Sequence, residues 1–388
     1  MKKHIAVALI LAASSAVASA QSSVTLYGII DVGILYVNNA NGAKQWSEFP
    51  AGLQGNRWGL KGSEDLGGGL KAIFTVENGF FVNNGAFAQG GAEFGRQAFV
   101  GLSSRFGTVT LGRQYDSIVD YLTPMKAGGT TVGAFSDHPG DLDNTGNDYR
   151  VNNSIKYASP DFKGLSFSGL FSLGGFAGSF ERNRIYSVGA GYQGGPLQLG
   201  AAYLVARNPN FSYYGNNPNS SVTGNNMSSV VAFSGYASAQ ALQIIGAAGG
   251  YTFGPATVQV LYTNVQFQNF APGSALNPQG LGGKAIFNTW EGNFRVYLAP
   301  DLMVGAAYNY TRGSDATRGN AGGVTYQQLH LGVDYFLSKR TDVYAVVFGQ
   351  HASGRDSTGK GAVAQVFTLS PSSTSNQIAT IVSLRHKF

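Results

Sequence analysis

An alternation of apolar and polar side chains with period two runs the length of this chain, and no other feature restricts its fold as much. Val24, Leu26, Ile30, Val32 and Ile34 share one face of a first strand, with Thr25, Tyr27 and Asp31 on the other. Trp290, Phe294, Val296 and Leu298 oppose Thr289, Glu291, Asn293, Arg295 and Tyr297. Leu329, Leu331, Val333, Tyr335 and Leu337 oppose Gln328, His330 and Asp334. The final residues Val382, Leu384, His386 and Phe388 oppose Ser383, Arg385 and Lys387. Strands with one apolar and one polar face follow along the whole chain.

The next question is which solvent each face meets. Charged residues make up only 12% of the 388, about half the ~25% usual in soluble domains. Mean hydropathy is nevertheless −0.04, so polar and apolar positions balance. There are 55 Gly, 25 Phe and 20 Tyr and no Cys, which suits turns, aromatic girdles and passage through an oxidising compartment. Lys2 and Lys3, the apolar run Ile5–Ala13 and the site Ala18-Ser19-Ala20 read as a secretory leader over 1–20, cleaved before Gln21. The run is too short for a membrane anchor, and no later segment has the ~20 apolar residues of a spanning helix. The mature chain 21–388 is then a soluble secreted protein or a membrane β-barrel. Strands of ~10 or more residues, long enough to cross a bilayer when tilted, favour the barrel. So do aromatic residues near strand ends: Tyr157, Tyr192, Tyr251, Phe253, Tyr308, Tyr310 and Phe388.

The connections alternate in length. Tight turns are expected at 66–69, 104–107, 159–162, 194–196, 253–255, 298–301 and 338–340. Long loops rich in Gly, Asn and Ser are expected near 38–56, 82–93, 114–149, 174–184, 207–238, 268–284, 311–323 and 351–375. Seven turns and eight loops join sixteen strands, an even number with both ends on the short-turn side, as in bacterial outer-membrane barrels. Every backbone group in lipid must be paired, so the sheet has to close. At ~16 strands side chains cannot fill the interior, and an aqueous channel remains. The expected fold is all-β, a sixteen-stranded antiparallel transmembrane barrel.

Several segments resemble the general porins of Gram-negative outer membranes, in particular the β-proteobacterial branch. They are Ser23–Gly28 with Asp31, Arg57–Ala72, Phe94–Leu102, Gly107–Arg113, Leu337–Thr341 with Tyr344, and Leu384–Phe388. The resemblance spans the mature chain; the block 57–113 and the C-terminus are its specific parts. It implies passive diffusion of small hydrophilic solutes and ions through a homotrimer, with a third external loop folded inward as a constriction. Residues 114–149 fit that loop, with a short helix over 116–122 capped by Asp116 or Ser117. The loop carries Asp116, Asp120, Asp137, Asp141, Asp143 and Asp148. The resemblance sets these carboxylates against a basic wall, with Arg57, Arg96 and Arg113 at the matching wall positions.

Parity supports part of that wall. Arg57 alternates with Trp58 and Leu60 and so faces the lumen, and Lys61, Lys71, Lys156, Arg295, Arg385 and Lys387 also have lumenal parity. Lumenal acids are Asp31, Glu77, Glu291 and Asp334. Arg96 shares parity with Val100 and Leu102, and Arg113 with Val109 and Leu111. Strict alternation would place both toward lipid, at ~2–4 kcal/mol for Arg at midplane, unless a bulge resets the register or they sit at the rim. The balance of wall cations and loop aspartates leads to an expected weak preference for anions, and the alternative is a channel specific for sugars or carboxylates.

Other classes are poorly supplied. Asp141-Leu142-Asp143-Asn144-Thr145-Gly146 has part of a calcium-loop pattern, but Asn152 stands where the closing Glu belongs. His138, His330, His351 and His386 are dispersed, so no metal or other cofactor is expected. No Ser partner for His330 or His386 is evident, so no hydrolase triad is expected and the chain reads as a channel, not an enzyme. The mild, unclustered basic balance gives no nucleic-acid footprint. Phe388, His386, Leu384 and Val382 share the lipid side of the closing strand and are expected to form the signal read by the barrel-insertion machinery, as in similar proteins. Expected partners are therefore two further copies, outer-membrane lipid, that machinery and small hydrophilic solutes.

Overall fold

The computed structural model describes residues 22–127, 133–314 and 323–388; the expected leader 1–20 lies outside them. The strands are β1 (Ser23–Ala40), β2 (Ala43–Pro50), β3 (Arg57–Gly67), β4 (Leu70–Gly79), β5 (Gln97–Ser104) and β6 (Gly107–Gln114). They continue as β7 (Val151–Ala158), β8 (Leu165–Ser172), β9 (Ile185–Gly194), β10 (Leu197–Arg207), β11 (Ala239–Phe253) and β12 (Ala256–Phe270). The last are β13 (Lys284–Ala299), β14 (Leu302–Gly313), β15 (Val324–Phe336), β16 (Thr341–Gly354) and β17 (Asn376–Lys387). All pair antiparallel in one sheet. β2 and β3 are halves of a single stave, pairing with the outer half of β1 (Val32↔Pro50 to Ala40↔Ala43) and its inner half (Ser23↔Ser63 to Ile29↔Arg57). The staves therefore number sixteen. The sheet closes where β1 meets β17, from Ile29↔Lys387 to Val37↔Ala379. Gly28 and Phe388 add two reciprocal backbone hydrogen bonds of 3.0 and 3.1 Å at the seam. No helix among the described residues is long and apolar enough to cross a membrane; the crossing elements are strands.

The alternation maps onto the two faces as expected. Val24, Leu26 and Ile34 on β1, Leu329, Leu331 and Val333 on β15, and Val382 and Leu384 on β17 are exposed on the outside. Asp31, Gln328, His330, Asp334, Ser383 and Arg385 are buried inside. Exposed Tyr192, Tyr251, Phe253, Tyr308 and Phe388 lie on the outer surface, where an aromatic girdle meets the interface.

One expected loop is replaced by something else. The segment 38–56 is not a long loop: β1 and β2 continue to a two-residue turn at Asn41-Gly42, with φ of 52° and 96°. Both values are left-handed, which is what an Asn-Gly hairpin turn requires. The irregularity comes later, at 51–56, after Pro50 removes a backbone donor. There the chain leaves the wall and turns into the barrel. Asp31 holds it: one carboxylate oxygen accepts from the Leu53 and Gln54 amides (both 2.9 Å), the other from Tyr344 (2.5 Å) and Ser383 (2.9 Å).

The interior is far from empty. One apolar cluster joins the inward ends of β10–β15 to the loop 208–238 through Tyr213, Tyr214, Phe233, Tyr236, Phe267 and Phe287. A second joins Leu35, Val37, Tyr344 and Phe348 to Leu53, Phe135 and Val366. Inward apolar residues near the external ends of strands thus face packed loops instead of water, and the open space is displaced to one side.

Candidate functional site

The loop 114–149 folds into the barrel, and its course decides where the open space lies. Asp116 caps α1 (Ser117–Tyr121), accepting from the amides of Ile118 (2.8 Å) and Val119 (3.3 Å). α1 lies against β8–β10, with Ser117 bonded to Ser168 and Ser187. A Cβ at Gly200 would stand 2.1 Å from the Tyr121 carbonyl oxygen, so only glycine admits the loop this close to the wall. The loop then crosses the far wall: Asn293 donates to the Met125 carbonyl (3.0 Å), and the Ala127 amide donates to Glu291 (2.7 Å). Beyond the residues outside the described set, Asn309 donates to the Ser136 carbonyl (2.9 Å) and Gln328 to that of Asp137 (3.0 Å).

This path follows β8–β16 and leaves a cavity of ≈ 720 Å³ against the opposite wall. Arg57, Glu77 and Arg96 line it from the wall side, Gln54 and Asn56 from the 51–56 segment, and Tyr115, Lys126, Asp137 and Asp148 from the loop. Arg96 donates to Glu77 (2.8 Å) and Tyr115 (3.0 Å), and Tyr27 donates to the other Glu77 oxygen (2.9 Å). Lys126 is ion-paired with Asp137. Arg57 donates to the Gly55 carbonyl (3.2 Å) and forms no ion pair among the described residues.

The remaining wall positions are elsewhere. Lys61 faces the lumen with its ammonium 5.4 Å from the Tyr27 ring, outside the cavity lining. Lys71 is exposed near the tight turn between β3 and β4, and Arg295 sits near the short-turn end of β13; neither lines the cavity. Arg96 precedes β5, so strand parity does not apply to it, and its side chain turns inward. Arg113 does follow a register shift: β6 bulges between Gly112 and Gln114. Its guanidinium is bonded to the Gly95 carbonyl (2.8 Å), Asn152 and the Asn216 carbonyl (2.8 Å). It ties three segments together and is not part of the cavity lining, so the expected basic wall reduces here to Arg57 and Arg96.

The six loop aspartates separate in the same way. Asp116 is a helix cap that also accepts from Asn144 (2.8 Å) and Tyr213 (3.2 Å). Asp120 pairs with Lys156 on β7 at 2.7 Å. Asp143 accepts from Thr263 (2.5 Å) and pairs with His138 (2.5 Å), whose other ring nitrogen lies 3.2 Å from Glu291. Asp141 accepts from the Gly146 (2.7 Å) and Asp148 (3.0 Å) amides. Only Asp137 and Asp148 border the cavity. Burial first, then the neighbouring Asp148 charge, pushes the Asp141 carboxyl above the ordinary carboxylate range. Burial also raises Asp148, against the opposing pull of Arg150, Lys126 and Arg96.

Parity could not have revealed several cavity residues. Gln54 and Asn56 lie off the strand lattice, and Lys126 is one cation in an acidic loop. The available signal was Pro50 with Gly52 and Gly55 interrupting a strand pattern.

The chain matches the model of the Gram-negative porin family over residues 6–354. It is 36% identical over 230 residues to an outer membrane porin protein of Bordetella pertussis, covering 52% of this chain and 59% of that protein. The chain thus spans little more than half the length of that relative. A major outer membrane protein P.IB of Neisseria gonorrhoeae is 29% identical over 406 residues, covering 100% of both chains. Among solved structures, the anion-selective porin from Comamonas acidovorans superposes with a TM-score of 0.71 at 22% identity, over 95% of this chain and all of that one. With its closed sheet, its outward apolar face and its inward third loop, this chain belongs to the Gram-negative porin family, as a multi-pass β-barrel of the outer membrane.

Proposed function

We propose that this protein is a water-filled channel for passive diffusion of small hydrophilic solutes and ions, with a weak preference for anions, and that it works as a homotrimer without catalysing a reaction. The observation that carries this reading is the charge distribution around the ≈ 720 Å³ cavity. Arg96 is offset by Glu77 and Lys126 by Asp137. Arg57 is left without an ion pair among the described residues, facing a loop whose one other lining carboxylate, Asp148, resists ionisation. Fixed charge at the narrow point decides ion preference more than total charge does. At ~0.15 M salt the field reaches only ~8 Å, so Lys61, Lys71 and Arg295, away from the cavity, count for little.

The test is the reversal potential under a KCl gradient in a planar bilayer. Wild type should favour chloride, and Arg57→Glu should move the preference toward potassium. Strong cation selectivity in the wild type would overturn the reading. Conductance without turnover separates a channel from a surface enzyme.

A further inference from the structure

The lining of the cavity is not that of a simple water passage. Beside its charges, Phe49, Phe80, Phe81 and Phe367 border it. Phe81 keeps 42% of its surface exposed, and Phe80 and Phe367 are only half-buried. Phenyl rings left in contact with water gain by covering one another or by covering a solute. The same cavity carries a cation that can take an anion. Arg57 has its guanidinium committed only to a carbonyl. Cation and exposed rings meet in one cavity, whose volume falls within the ~300–1,000 Å³ typical of small-molecule sites.

We propose that this cavity is a binding site for aromatic monocarboxylates, the carboxylate held by Arg57 and the ring by the phenylalanines around Phe81. The inference rests on the channel reading and sharpens it into a solute class. A single charge is specified because, among the described residues, Arg57 is the one lining cation without an ion pair. A second carboxylate would meet Glu77 across the same space.

The experiment is current block in a planar bilayer, with the purified full-length protein in symmetrical KCl and three probes. Benzoate has the charge and the ring, acetate only the charge, and benzyl alcohol only the ring. Benzoate should half-block at a concentration about tenfold or more below either of the others, a difference of ~1.4 kcal/mol. Arg57→Gln should raise the benzoate value about tenfold, with Arg57→Lys between it and wild type. Phe81→Ala should bring the benzoate value toward that of acetate. Equal block by benzoate and acetate, or a benzoate value indifferent to Arg57→Gln, would overturn the site. A ratio unchanged by Phe81→Ala would reduce the rings to loop packing and overturn their role. A folded barrel that conducts no ions would instead overturn the channel reading itself.

Discussion

Gly28 shows how one residue governs the seam of the barrel. A Cβ there would lie 2.3 Å from the Phe388 ring and 2.7 Å from the Arg57 carbonyl oxygen. The terminal ring therefore rests on the bare backbone of β1 while Gly28 and Phe388 exchange main-chain hydrogen bonds. Gly28→Val should displace the ring and lower both barrel assembly and heat resistance in detergent. Adding Phe388→Ala should restore only part of the loss, because the Arg57 carbonyl still obstructs the new side chain. Wild-type assembly of Gly28→Val would contradict this. Val382, Leu384, His386 and Phe388 are all exposed on the outer face, which supports their proposed reading by the insertion machinery. Deleting Phe388 should therefore impair insertion more than Phe388→Tyr. Equal, full insertion of both variants would remove the idea.

Among elements, the third loop depends on a clamp between its tip and the far wall. His138 and Asp143 from the loop meet Glu291 on β13 and Thr263 on β12, with Lys126 and His330 close enough to act on His138 or its partners. Burial alone would lower the His138 pKa, but the Asp143 and Glu291 carboxylates outweigh it and lift it from 6.5 to about 9. Asp143 in turn is held well below the carboxylate range by the His138 charge, against its burial. A raised imidazole pKa stabilises the docked loop fully below 6.5, and that contribution disappears as pH rises through about 9. Open-channel current noise should accordingly increase between about pH 7 and pH 9 in the wild type. His138→Gln, which keeps polar contacts but cannot titrate, should lose that dependence. The same pH profile in both proteins would exclude His138 as the cause.

For the whole molecule, the loops divide the lumen unequally. Aromatic packing beneath 208–238 fills the side lined by β10–β15, and the cavity lies against β3–β5. The proposed trimer needs an apolar outer surface, which Val24, Leu26 and Ile34 of β1 offer, although the chain's own Phe388 covers Gly28. Native mass measurement in mild detergent should give three copies, each contributing a separate conductance step. A monomer with full activity would contradict the assembly.

The alternation of side chains, the turn residues and the rule that no backbone group stays unpaired in lipid were enough to specify a closed sixteen-stave barrel with its apolar face outward. Those are local and periodic constraints, and each strand states them by itself, as β15 and β17 do. The placement of charge is a different matter. Arg96 lies off the strand lattice and turns inward. Arg113 follows a bulge into a structural knot. Four of the six loop aspartates are consumed as caps and anchors before reaching the passage. Where the loop runs depends on contacts with β8–β16, more than 100 residues away in places, such as Ala127 with Glu291 and Asn309 with Ser136. Side-chain periodicity carries no record of such distant contacts, so the geometry of the constriction became visible only in the folded molecule.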